Sequence, residues 1–129
     1  MKDYLNKLSG EVIGAAIEAH RDLGPGLLET TYEISLQHEL KLRGFESVRQ
    51  LALPIIYKDL VVPEAYRIDL LVEGCLVVEL KTVEALLPIH SAQLLTYLRM
   101  SDKHLGLLIS FHTVRLTDSI KRLVHNFPS

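Results

Sequence analysis

Apolar residues recur at intervals of three and four along the first third of the chain. Ser9 has the chemistry of an N-cap, and Val12, Ile13, Ala16, Ile17 and His20 follow it at helical spacing. Gly24-Pro25-Gly26 stops that helix and turns the chain. A second helix is predicted from about Leu27 to Arg43, with a core stripe of Leu28, Tyr32, Leu36 and Leu40, Ile34 beside it, and Gly44 as its C-cap. The period then shortens. Runs rich in Val, Ile, Leu and Tyr, punctuated by Lys58-Asp59 and Glu73-Gly74, predict antiparallel strands over Val48 to Tyr57, Val61 to Val72 and Leu76 to Lys81. Pro54 and Pro63 place the first hairpin at a sheet edge or give it bulges. Pro88 suits the first turn of a third helix, Pro88 to Ser101, and His104 to Phe111 reads as a short buried strand. The final stretch fits either a hairpin around Thr117-Asp118 or a helix from Asp118. This order predicts an α/β domain with a mixed central sheet flanked by helices, occupying residues 1–129 as one unit.

Three charges interrupt the strands. Residues two apart on a strand share a face, so the second strand should present Ile68, Leu70 and Val72 on one side and Arg67, Asp69 and Leu71 on the other. The third should present Leu76, Val78 and Leu80 against Val77, Glu79 and Lys81. A loop of Glu73, Gly74 and Cys75, closed by Val72 opposite Leu76, sets Asp69 directly across from Glu79 on one face. Gly74 or its neighbour supplies the left-handed residue that such a loop needs. A two-residue loop would separate the acids.

Two carboxylates held side by side share a proton or bind a cation. Two hard oxygen ligands plus waters suit Mg²⁺ or Mn²⁺. Lys81, on the same face, would orient a water or stabilise developing negative charge. A salt bridge from Lys81 to one acid accounts for the pattern equally well.

Composition narrows the alternatives. With 129 residues, 48% of them hydrophobic and 23% charged, the chain can build a core without staples. A single cysteine, Cys75, excludes an intrachain disulfide and fits a reducing cytoplasm. No apolar run reaches the length of a membrane span, and Glu11, Glu18 and His20 break any signal-type core. The net charge of -2 implies that binding to nucleic acid would rest on a local patch or a bound metal. Small patches around Arg43 and Arg49, or around Arg99, Lys103, Lys121 and Arg122, are the candidates. Among the six histidines only His90 is expected near the acids. The glycine-rich phosphate loops and the nucleophile-elbow serine motif are missing.

The spacing Asp69-x9-Glu79-x-Lys81 resembles the D…(D/E)-x-K core of the PD-(D/E)XK nuclease superfamily. Upstream, Gly26, Glu29 and Tyr32 form G-x-x-E-x-x-Y; downstream, Gln93 and Tyr97 form Q-x-x-x-Y. Their order resembles the GxxExxY protein family, a small branch of that superfamily, over nearly the whole chain. Ile68 stands where the superfamily name has proline before the first acid. The resemblance implies a restriction-endonuclease-like core in the order α-β-β-β-α-β and metal-dependent phosphodiester cleavage.

Carried over residue by residue, the resemblance makes Asp69 and Glu79 metal ligands, joined by the backbone carbonyl of Leu80. Glu29 becomes an additional acid reaching the metal, although the dipole at a helix start also favours a carboxylate there. Lys81 would hold the attacking water and the scissile phosphate. Tyr32 is mostly core, with its hydroxyl free for a hydrogen bond in the site, and Gly26 is a backbone device at the start of the second helix. Gln93 and Tyr97, four apart on one helix face, would look onto the site beside His90. The function implied is a nuclease acting on nucleic acid, with DNA favoured and RNA left open; with the composition, the expectation is a cytoplasmic protein off the membrane, with a homodimer as one form it could take. The alternative is a nuclease-fold module that binds nucleic acid or protein without catalysis.

Overall fold

The computed structural model describes residues 1–129. Its elements are α1 (Lys2–Leu23), α2 (Glu29–Leu42), β1 (Ser47–Tyr57), β2 (Leu60–Val72), β3 (Leu76–Lys81), α3 (Pro88–Ser101), β4 (Leu105–Ser110), a 3-10 turn at Leu116–Ser119 and β5 (Ile120–Val124). The five strands form one sheet in the order β1-β2-β3-β4-β5. Only β3 and β4 pair in parallel, because α3 carries the chain over the sheet between them; the other neighbours are antiparallel. The C-terminal segment left open by the pattern is therefore a strand on β4, reached through a 3-10 turn.

Two apolar layers enclose the sheet. On one face α1 and α2 bury Leu5, Leu8, Val12, Tyr32, Leu36 and Leu40 against Leu70, Val72, Val78 and Leu80. On the other, Leu94 and Leu98 of α3 pack on Leu71, Val77 and Leu108. Gly106 on β4 makes the second contact close, since a Cβ there would lie 2.9 Å from Leu94 Cδ1.

Three local expectations are corrected. The first helix begins at Lys2, so Ser9 is a buried interior residue and not an N-cap. Leu5 and Leu8 extend the apolar stripe toward the N-terminus and outweigh any stop at Ser9. Leu28 is 77% exposed and Ile34 49% exposed, so neither belongs to the core of α2. Leu28 precedes the helix in extended conformation, outside its periodicity. Gly44 does close α2, with φ of 89°; its N–H donates to the Lys41 carbonyl and the Phe45 N–H to the Leu40 carbonyl.

The hairpin β1–β2 is irregular where the prolines stand. Leu53 pairs with Tyr66 but Ile55 with Val62, so the longer strand bulges around Pro63, Glu64 and Ala65. β1 is also an edge strand. Beyond the bulge the tip is solvent-facing, with Ile56, Tyr57, Leu60 and Val61 exposed.

A second irregularity has larger consequences. Ile68 packs with Leu71 on the α3 face, whereas Leu70 and Val72 pack on the opposite face. The strict alternation predicted for β2 therefore fails between Ile68 and Leu70. β1 changes face at the same level, because Arg49 reaches α2 while Leu51 packs toward α3. The register of the two strands is continuous across this point, Arg49 with Leu70 and Leu51 with Ile68. Between those pairs Gln50 has a left-handed φ of 53°, which breaks the side-to-side alternation of an extended chain. Asp69 lies across from Gln50 at the crossover.

Candidate functional site

The β2–β3 ladder runs only from Val72–Leu76 to Leu70–Val78. This is the pairing that a loop of Glu73, Gly74 and Cys75 requires, with Glu73 and Gly74 both left-handed. Beyond Leu70 and Val78 the strands part: β2 continues along β1, and β3 continues along β4 to Lys81. The two acids fill the gap. Glu79 Oε1 accepts the Asp69 N–H at 3.2 Å, and Asp69 Oδ2 accepts the Leu80 N–H at 2.9 Å. Each carboxyl thus replaces a backbone acceptor at the open end of the ladder.

Glu79 is only 3% exposed. Burial pushes its carboxyl up to about 9, helped by the charge of Asp69 and by a hydrogen bond shared with the Asp69 side chain. At neutral pH Glu79 therefore keeps its proton. No ion pair involves Asp69, Glu79 or Lys81. The salt-bridge account of the pattern fails on that point.

Lys81 turns instead toward α3. Its Nζ donates to Gln93 Oε1 at 3.1 Å, and Gln93 Nε2 donates to the Tyr97 hydroxyl at 3.1 Å. Tyr97 is half-buried against Tyr66, ring centroids 5.0 Å apart. Burial, followed by the proximity of Glu79, raises its hydroxyl's pKa. The segment after Lys81 is fixed by Ser110, whose hydroxyl accepts the Val83 N–H and donates to the Val83 carbonyl.

Glu29 comes from the other layer. Burial and the nearby Asp69 raise its carboxyl, while Lys81 pulls it down. It is the first residue of α2 and follows a loop with left-handed Gly24 and Gly26. Tyr32 braces that loop: its hydroxyl donates to the Gly24 carbonyl and accepts the Leu27 N–H at 3.1 Å, while its ring stacks on Phe111 at 4.5 Å. The expectation that the Tyr32 hydroxyl is free for the site is thus corrected, because both of its hydrogen bonds hold the Glu29 loop. His90 Nδ1 accepts the Leu87 N–H at 3.0 Å and caps α3. Arg43 and Arg49 do not form a basic patch, since Arg43 pairs with Glu39 and Glu11 and Arg49 with Glu33.

Sequence reasoning missed Glu33 and Gln50. Glu33 is 2% exposed and accepts from Arg49 Nε at 3.0 Å and from Gln50 Nε2 at 3.1 and 2.9 Å. Gln50 Nε2 lies 3.4 Å from Asp69 Oδ1. Helical spacing held a signal for Glu33, which falls four after Glu29 and three before Leu36 on the buried side of α2. The left-handed turn of Gln50 has no sequence signature.

A surface cavity of about 520 Å³ between α1 and α2 is lined by Glu18, Asp22, His38 and Glu39 and contains none of Glu29, Glu33, Asp69 and Glu79. No cluster of three His, Cys, Asp or Glu side chains forms a closed metal cage. Where the strands part, two carboxyl groups meet beside the Leu80 N–H. No helix is long and apolar enough to cross a membrane.

A family model described as the PD-(D/E)XK nuclease superfamily matches residues 6–123. The chain belongs to that superfamily, and the five-stranded mixed sheet between helical layers is its restriction-endonuclease-like α/β fold. Neither a curated protein nor a solved structure matches the chain.

Proposed function

We propose that this PD-(D/E)XK chain is a Mg²⁺- or Mn²⁺-dependent nuclease of the GxxExxY branch, hydrolysing phosphodiester bonds of nucleic acid, DNA by preference. One observation carries this: the buried Glu79 carboxyl and the half-buried Asp69 carboxyl meet where two strands part, and no ion pair reaches either. Burying such a pair is costly unless a proton or a metal ion compensates.

The donor set fits a hard divalent ion. Asp69 and Glu79 supply carboxylate oxygens. In an extended strand the N–H and C=O of one residue project to the same side. The Leu80 N–H points at Asp69, so the Leu80 carbonyl is directed to the same gap. Glu29 would join directly or through water. Two carboxylates, a carbonyl and waters match Mg²⁺, which keeps part of its hydration, better than a closed all-protein cage. When bound, such an ion supplies positive charge at the phosphate and acidifies a water.

The chain's own residues do the rest. Glu79 would hold the ion as a carboxylate, its proton passing to solvent. Lys81 forms no ion pair and is aimed by Gln93, itself held by Tyr97, so its Nζ can meet the phosphate and the attacking water. Glu29 adds a further acid whose ionisation depends on its neighbours.

The test is cleavage of supercoiled and linear duplex DNA, single-stranded DNA and RNA with Mg²⁺ or Mn²⁺, beside Asp69→Asn and Lys81→Ala. Metal-dependent cutting by the wild type alone is expected. Binding without cutting on every substrate would replace the nuclease with a catalytically inactive nucleic-acid module.

A further inference from the structure

We propose that Gln50 is a positioning residue that aims Asp69, anchored from beneath by buried Glu33. The consequence for metal binding rests on the function proposed above; the positioning itself does not.

The geometry has three parts. Glu33 is fixed in α2 with both carboxylate oxygens occupied, one by Arg49 and Gln50 and the other by Gln50. The Gln50 amide nitrogen then faces three carboxylate oxygens, two of Glu33 and one of Asp69, at 3.1, 2.9 and 3.4 Å. Only its donor end suits that environment, since turning the amide over would set oxygen against oxygen. The amide therefore ties Asp69 Oδ1 to α2, the helix that also carries Glu29. Meanwhile Asp69 Oδ2 holds the Leu80 N–H. With both oxygens engaged from opposite sides, the Asp69 carboxyl has one orientation.

The backbone of Gln50 points the same way. A non-glycine residue in the left-handed region of a strand is unfavourable. Here it reverses the faces of β1 so that Arg49 reaches Glu33 and the Gln50 amide reaches across to Asp69. The strain is stored where it serves the acid pair.

Gln50→Gly separates the two roles. Glycine accepts the left-handed backbone without cost but has no amide. Gln50→Asn is a second variant: asparagine tolerates that backbone and keeps an amide, but is one methylene too short to span Glu33 and Asp69. The Leu80 amide proton reports the orientation of Asp69 in metal-free protein. In both variants it should exchange with solvent about tenfold faster than in wild type, as expected for a lost hydrogen bond. The Leu70 and Val78 amides and the melting temperature should hold, or the latter rise in the glycine variant. Mn²⁺ affinity, measured by calorimetry, should fall about 10–100-fold. Unchanged Leu80 exchange in both variants would overturn the proposal, as would a collapse of protection throughout the sheet, which would make Gln50 merely structural. Faster Leu80 exchange with undiminished Mn²⁺ affinity would overturn its link to metal. A wild type indifferent to Mn²⁺, with Leu80 still responding, would sink the nuclease function and leave the positioning role standing.

Discussion

The amide of Asp69 donates to the carboxyl of Glu79 at 3.2 Å, at the level where the β2–β3 ladder stops. The acids are therefore held by main-chain hydrogen bonds as well as by side-chain packing. Their separation is built into the splay of two strands. Neutralising them is left to a proton or an ion.

Divalent metal should stabilise the protein. A ligand that binds only the folded state adds about 2.7 kcal/mol at a hundredfold excess over Kd. Melting curves with millimolar Mn²⁺ should shift upward in wild type and stay fixed in Asp69→Asn. The metal-free Asp69→Asn protein should melt at or slightly above wild type, because the asparagine oxygen still accepts the Leu80 N–H and removal of one repulsive charge offsets loss of the longer Gln50 contact. Loss of metal-free stability with no Mn²⁺ response in wild type would refute the metal site.

Stability of the metal-free protein should fall as pH rises from about 4.5 toward about 9. The sign follows from Glu79, whose carboxyl is raised from 4.5 to about 9 on folding. Between those values the folded state holds a proton that the unfolded chain releases, so raising pH favours unfolding. Denaturation midpoints across that range should decline in wild type and flatten in Glu79→Gln. Mn²⁺ affinity should rise over the same interval, since the ion displaces that proton.

Lys81→Ala should spare Mn²⁺ binding and reduce kcat by about 10²–10³, the scale of losing one positioned charge at a developing anion. Gln93→Leu removes the side-chain oxygen that accepts from Lys81 Nζ and should lower kcat with little change in melting temperature. Equal kcat in wild type and Lys81→Ala would remove lysine from the chemistry.

Tyr32→Phe should cost about 1–2 kcal/mol, because the Leu27 N–H and the Gly24 carbonyl both lose their partner. Chemical denaturation measures this directly. Mn²⁺ affinity should fall with it if Glu29 reaches the ion, because the tether that places Glu29 is gone.

Gly106→Ala and Gly14→Ala should differ in sign. At Gly106 the new methyl meets Leu94 Cδ1 at 2.9 Å and Cγ at 3.2 Å in a buried contact, at a cost of about 1–3 kcal/mol. At Gly14 it meets the end of the flexible Arg43 side chain, and helix propensity should make the change neutral or favourable by up to about 1 kcal/mol. Urea midpoints of the pair decide it.

The helical layers and the hairpin register were legible in the sequence because they follow from periodicity and loop length. Val72 opposite Leu76 required only a three-residue turn with a left-handed glycine, and α3 spans Pro88–Ser101 as its proline start implied. The start of α1 was not legible: a serine suited to capping marked Ser9, while Leu5 and Leu8 continued the helix past it. Alternation misled at Ile68, where β2 changes face at the level of the left-handed Gln50 on β1, and glutamine carries no preference that announces such a turn. Asp69, Glu79 and Lys81 could be picked out as charges in an apolar run. Gln50 and Glu33 could not be joined to them, because their contact depends on that turn.

The parting of β2 from β3 also bears on how the chain folds. Asp69 and Glu79 are only ten residues apart, with Lys81 and Gln93 twelve apart and Gln50 and Asp69 nineteen. Such short loops cost little entropy to close, so the acid hairpin can form before β4 and β5 dock on it. Repulsion between the acids then arises early, with no lysine paired against it. We expect refolding, followed by stopped flow, to accelerate as Glu79 is protonated or replaced by glutamine, with the folding arm of the chevron carrying much of the pH response. Confinement of the pH response to the unfolding arm would place hairpin closure after the rate-limiting step.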